Sequence, residues 1–366
     1  MVVFTRYLYS KEDVEIALLG SLLKKDKSGA LFWVYELYFS GFWEDTKKIL
    51  WKIYYSLYAT QNVQLETYMK KKEEKIINET DQETFLHSFV SNLVIRKSSM
   101  DVFILAGVSI KTERDDASSG LSFSEKLELQ DYEAICHDIF DIISQADDNL
   151  SKKMVNELTR FFKSKGCDKL ASLKKYDWCG VSPLLILIAR VMTMFTELAC
   201  KDTNTTPSVK KNLYVSCKKS EIDQYRTREI DYGKEKPCDL FRKLVTQTPY
   251  TDGILSVFKK CDDEITLRMY RQDWMAYAFE STPIWRSRIE KYGGSVHEGQ
   301  LVWQDEDMEE EFFERYEYNT DEQSSDTQRK NIPHFEERMS LAEFHTKFKG
   351  CGIYEPCDEI LEALID

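Results

Sequence analysis

At 366 residues the chain is long enough for a substantial core, built as one large or two to three smaller domains. Its formal net charge of −13 sits largely in one place: between Glu298 and Asp326 twelve acidic residues stand against Arg315, leaving the rest nearly neutral. The opening MVVFTRYLYS lacks the apolar stretch of a secretory leader, and nine irregularly spaced cysteines with no CxxC pair exclude a disulfide framework or zinc ribbon, so reduced thiols in a cytosolic protein are expected.

No proline precedes Pro183, so nothing in the first half removes a helical amide donor. Ser10-Lys11-Glu12-Asp13 reads as a helix start, followed by the apolar stripe Val14, Ala17, Leu18 and Leu22. The next helix runs from Ser28 to Phe39 and ends at Ser40-Gly41; a third covers Glu44 to Tyr58. From Leu31 to Tyr58 apolar and aromatic residues cover nearly every helical face, which predicts burial on several sides. Short connections between such helices predict antiparallel hairpins.

Lys70 to Lys75 reads as a solvated helix face, and Asp81 to Arg96 as a fifth helix with Phe85, Phe89 and Leu93 in register. The run Val102 to Ile110 is a short buried helix or a strand. Lys111 to Gly120 is a linker, Ser124 to Ala146 a long helix, and Lys152 to Lys163 a basic helix. The apolar run Leu184 to Phe195, interrupted by Arg190, is short of the roughly 20 residues that cross a bilayer and reads as a buried helix.

Lys201 to Pro207 is a second linker. Ile265 to Phe279 follows the acidic Asp262-Asp263-Glu264 as a helix, Pro283 opens another that ends at Gly293-Gly294, and Asp307 to Tyr316 is an acidic helix. A polar stretch from Asn319 to Lys330 follows, and Ser340 to Glu343 forms a capping box for a helix stopped by Gly350. The expected fold is all-α, with irregular antiparallel helical hairpins in a HEAT-like or compact arrangement and an acidic C-terminal segment. Four successive regions are expected: 1–110, 121–200, 208–295 and 296–366.

Phosphate loops of the GxGxxG or GxxxxGK type and the GxSxG elbow are missing from the sequence. His297-Glu298-Gly299-Gln300-Leu301 begins like a zinc-protease motif but has no second histidine. Glu133, His137 and Asp141, four apart on one helix, form the best enzyme-like set; a wet flank of an amphipathic helix has the same pattern. No cofactor or metal is expected.

Two stretches carry binding chemistry. Lys152, Lys153, Arg160, Lys163, Lys165, Lys174 and Lys175 interleave with aromatics including Trp178, a pattern suited to phosphates and unpaired bases of single-stranded RNA or to ordinary helix surface. Lys210 to Lys243 is a mixed-sign, weaker counterpart. In the acidic segment, Phe312, Phe313, Tyr316 and Tyr318 suit a partner-binding amphipathic segment or packing on the body.

Three stretches, SGALFWVYELYFSGF at Ser28 to Phe42, YRQDWMAYAFESTPIWRSRIEKYGG at Tyr270 to Gly294 and FFERYEYNTDEQSSDTQRKNI at Phe312 to Ile332, together resemble an uncharacterised protein family of the nucleocytoplasmic large DNA viruses, particularly mimivirus-like giant viruses. The resemblance implies a protein of the host cytoplasm, the viral factory or the virion, and it carries no catalytic residues. The expected function is a non-catalytic helical scaffold or adaptor that binds protein partners and single-stranded RNA without a membrane, one version being an analogue of the helical scaffold subunit of translation initiation. A minor capsid or core protein and a metal-dependent enzyme are the alternatives.

Overall fold

A computed structural model describes residues 11–107, 120–144, 148–165, 183–200, 213–217, 220–226, 279–316 and 341–352, together with Val3, Thr5, Arg6 and Tyr9. In chain order the elements are α1 (Lys11–Leu23), α2 (Lys27–Phe39), α3 (Trp43–Leu57), α4 (Val63–Glu73), α5 (Glu79–Val94), α6 (Asp101–Gly107), α7 (Phe123–Leu129), α8 (Tyr132–Ser144), α9 (Asp148–Ser164), α10 (Pro183–Cys200), α11 (Ser220–Arg226), α12 (Pro283–Lys291), β1 (Gly294–His297), β2 (Gln300–Trp303), α13 (Glu306–Tyr316) and α14 (Leu341–Phe348). The described chain is therefore all-α apart from one antiparallel hairpin, as its sequence predicts. No helix among the described residues is long and apolar enough to cross a membrane.

Two compact units emerge, each drawn from separated stretches: Met1–Ile49, Ile77–Val94 and Ser216–Phe344 form the first, and Leu50–Ile76, Ile95–Val215 and His345–Asp366 the second. The divisions fall inside α3, on either side of α5, ahead of α11 and inside α14. Of the two linkers expected at 111–120 and 201–207, only Gly120 is among the described residues.

The first unit is organised by α2. Asp26 caps it, accepting the Gly29 amide at 3.0 Å, and Gly41, with φ 93°, turns the chain into α3 in a conformation that side chains other than glycine's resist. Between these ends Leu31, Trp33, Val34, Tyr35, Glu36 and Leu37 are all buried, because α1, α5 and α11 pack around the helix. The buried charge of Glu36 is met by Arg6 at 2.9 Å.

Helix α12 and the β-hairpin form a small core of their own within this unit: Trp285, Ile289, Tyr292 and Phe312 are buried together, with Trp303 and Phe313 packed on them. The strands were not foreseen. Their turn is Glu298-Gly299, both with positive φ, which is the primed-turn geometry that matches strand twist. His297 thus closes a hairpin opposite Gln300, where it has no metalloprotease-like helix to sit on.

In the second unit α10 packs on α6 and α8, and Ile186, Leu187, Ile188, Ala189 and Val191 are buried. Arg190, which interrupts that apolar run, is buried too. It donates to the carbonyl of Ala59 at 3.3 Å and lies 3.8 Å from Glu66, which also accepts the Tyr55 hydroxyl at 3.0 Å. The ambiguous run after Asp101 is helical as far as Gly107, and residues 108–110 lie outside the described ones. The single helix expected from Ser124 to Ala146 is instead two: Gln130 adopts the left-handed conformation, φ 56°, and ends α7, and Asp131 accepts the Ala134 amide at 3.1 Å to start α8. The expected helix over 265–279 lies outside the described residues except for Phe279.

Candidate functional site

Helix α9 separates its residue types cleanly. Met154, Leu158, Phe161 and Phe162 are buried, and Lys152, Lys153, Arg160 and Lys163 are exposed. At about 100° per residue those four cations project within an arc of roughly 100°, forming one basic stripe opposite the apolar side. Lys163 stands in the last turn, where the helix dipole favours positive charge. Lys165, just beyond it, is exposed, 3.4 Å from Glu128 and above the Phe161 ring at 5.3 Å. Lys174, Lys175 and Trp178 lie outside the described residues. Phe161 and Phe162 face the core, so the aromatics on this helix offer no platform for base stacking; what it exposes is a row of cations.

In the acidic segment the described aromatics pack on the body, one of the two uses expected of them. Phe312 is fully buried, 4.8 Å from the Trp303 ring and 5.7 Å from that of Tyr292, and Phe313 is half-buried against the same cluster. These two side chains build the hairpin core, where the fold itself removes much of their aromatic area from water. Glu306, Asp307, Glu310, Glu311 and Glu314 remain exposed on α13. The side chain of Tyr316, and Tyr318 as a whole, lie outside the described residues.

Of the enzyme-like set on α8, His137 and Asp141 are half-buried and the Glu133 side chain is outside the described residues. A different trio converges in the first unit: ligand-type atoms of His87, Cys217 and Glu221 all lie within 4.8 Å of one another. His87 projects from the buried face of α5, Glu221 from the first turn of α11, and Cys217 lies three residues before that helix.

Burial dominates this corner. The His87 side chain is 1% exposed, and neither ring nitrogen has a hydrogen-bond partner. Its Nε2 lies 3.5 Å from the Glu221 carboxylate, too long for a good hydrogen bond. Burial, helped by Lys27 and opposed by Glu221, pulls the imidazole down to about 4, so at neutral pH it is uncharged. Tyr35 flanks it, ring centroids 6.4 Å apart, and stacks on Tyr225 at 5.0 Å. Burial, with Cys217 and Glu83 adding, holds the Tyr35 phenol well above its ordinary range, and burial then Glu221 push Tyr225 up to about 12.

Nothing in the sequence singles this trio out. Cys217 and Glu221 are four residues apart, but His87 comes from a distant helix, on the side roughly opposite the stripe Phe85, Phe89 and Leu93.

Compared with protein-family models, with curated proteins and with solved structures, the chain matches none of them.

Proposed function

We propose that the protein is a helical adaptor that contacts single-stranded RNA through α9 and protein partners through its remaining helical surface. One observation carries the reading: Lys152, Lys153, Arg160 and Lys163 are exposed on one side of a helix whose other side is buried, although the chain as a whole is acidic. A row of cations along a rigid helix neutralises successive phosphates and releases their counterions.

The test is a fluorescence-anisotropy titration of the full chain with single-stranded RNA at several salt concentrations. Reversing the four residues to glutamate is expected to abolish binding at moderate salt, and each single reversal to lower the salt slope by about 0.7. Affinity and slope unchanged in the fourfold variant would eliminate α9 as the contact.

The resemblance to the giant-virus family supports reading this adaptor as one that works in the infected host cytoplasm or viral factory, with the virion as the alternative. Affinity purification from infected cells, with and without nuclease, distinguishes its versions: nuclease-sensitive recovery of helicase or cap-binding proteins supports a role in translation initiation, and recovery of capsid proteins a role in the virion.

A further inference from the structure

Beyond any RNA contact, we propose that His87, Cys217 and Glu221 form a binding site for a transition-metal ion, zinc(II) being the best match, with the fourth tetrahedral position left to water. The donor set is an imidazole nitrogen, a thiolate and a carboxylate oxygen. That combination selects zinc or a similar borderline ion over magnesium or calcium, which prefer all-oxygen shells.

Geometry and satisfaction point the same way. Zinc bonds of about 2.0–2.3 Å at the tetrahedral angle place ligand atoms roughly 3.3–3.6 Å apart. The His87 Nε2 to Glu221 separation is already 3.5 Å, and all three ligand atoms fall within 4.8 Å, so a side-chain adjustment of about an ångström closes the set. His87 supplies an independent sign of a ligand. It is almost wholly buried with both nitrogens unpartnered, a state that costs free energy unless something takes up the lone pair. A metal ion does so.

The charges also balance. On binding, the Cys217 thiol releases its proton to solvent and becomes a thiolate. With the Glu221 carboxylate this makes two negative charges against the ion's two positive ones, so the occupied site is neutral and tolerates its half-buried setting. Because His87 is fixed in α5 while Cys217 and Glu221 lie four residues apart at the start of α11, the ion would clamp Cys217 and α11 onto the unit's core.

The test uses the full chain, reduced, stripped with a chelator and dialysed. Titration with zinc is expected to show one saturable site and a rise in melting temperature, and cobalt(II) a thiolate charge-transfer absorption. Cys217→Ser and Glu221→Gln are expected to weaken affinity at least tenfold, on the order of what even outer-sphere partners of metal ligands contribute. Cys217→Ser should also remove the cobalt–thiolate band, whereas Cys136→Ser and Cys351→Ser should leave both readouts unchanged. Cys217→Ser is close to isosteric at a half-buried position, so its circular dichroism should match the parent protein. The absence of saturable zinc binding by the parent chain, or a cobalt–thiolate band that survives Cys217→Ser, would overturn the proposal.

Discussion

The Arg6 guanidinium donates to the Glu36 carboxylate, Nε to Oε2 2.9 Å, with side-chain exposures of only 6% and 0%. The same guanidinium donates to the carbonyls of Tyr225, at 2.8 Å, and Arg226, at 3.1 Å, so it also satisfies the C-terminal end of α11. Its face lies 4.9 Å from the Phe39 ring. One residue near the N-terminus thereby joins α2 to α11.

Removing one partner of such a pair leaves an uncompensated buried charge. Arg6→Ala is expected to destabilise the first unit by about 3–5 kcal/mol, read by chemical denaturation. The double variant Arg6→Met, Glu36→Leu should lose less than Arg6→Ala, since no charge is then stranded. A double variant that is the less stable of the two would contradict this account.

Phe312→Ala removes a fully buried ring from the small α12 and hairpin core and should cost about 3–5 kcal/mol. Glu311→Ala, exposed on the same helix, should change stability by less than about 0.5 kcal/mol. Were Phe312→Ala to leave the melting transition in place, the ring would have to act at an interface instead.

Gln130 offers a substitution whose sign distinguishes one helix from two. Inside a continuous helix Gln130→Gly would cost about 1 kcal/mol, but at φ 56° glycine is the preferred residue and stability should hold or rise. Thermal melts of this variant and of Gln130→Val, which should be clearly less stable, settle the sign.

The capping box of α7 gives a pH signature. The Ser122 hydroxyl and amide donate to Glu125, the amide at 2.7 Å, and hold its carboxyl below the usual carboxylate range. A depressed folded-state pKa means that the cap's contribution is complete above the unfolded value of about 4.3 and is lost as pH falls through the folded one. The Ser122 amide resonance should therefore titrate with a midpoint below about 4.3; a midpoint at or above it would mean that the box is open in solution.

The long-period features were legible in the sequence. A helix apolar on every side, α2, had to be buried, and proline-free spacing permitted the hairpins that follow. The apolar run interrupted by Arg190 read as a buried helix too short for a bilayer, but its partner Glu66 comes from another helix and carries no sequence mark. What escaped depended on single residues or on distance. Gln130 carries no compositional mark of a helix end, because left-handed glutamine is set by its neighbours. The β-hairpin hid behind a Glu-Gly turn that lacks the usual Asn or Asp. The trio at His87 is assembled by tertiary packing alone, and no spacing rule spans α5 to α11.

The Trp285 indole donates to the Thr5 carbonyl, and Arg288 to that of Arg6, so the beginning of the chain is tied to residues about 280 positions later. During synthesis at roughly 5–20 residues per second, those first residues wait on the order of 15–55 s for their partners. In that interval α1 and α2 have neither α11 nor α12 against them, and the aromatic surface of α2 is open to the crowded space around the ribosome. The birth of the protein, more than its mature fold, is therefore the stage at which it is most exposed to aggregation.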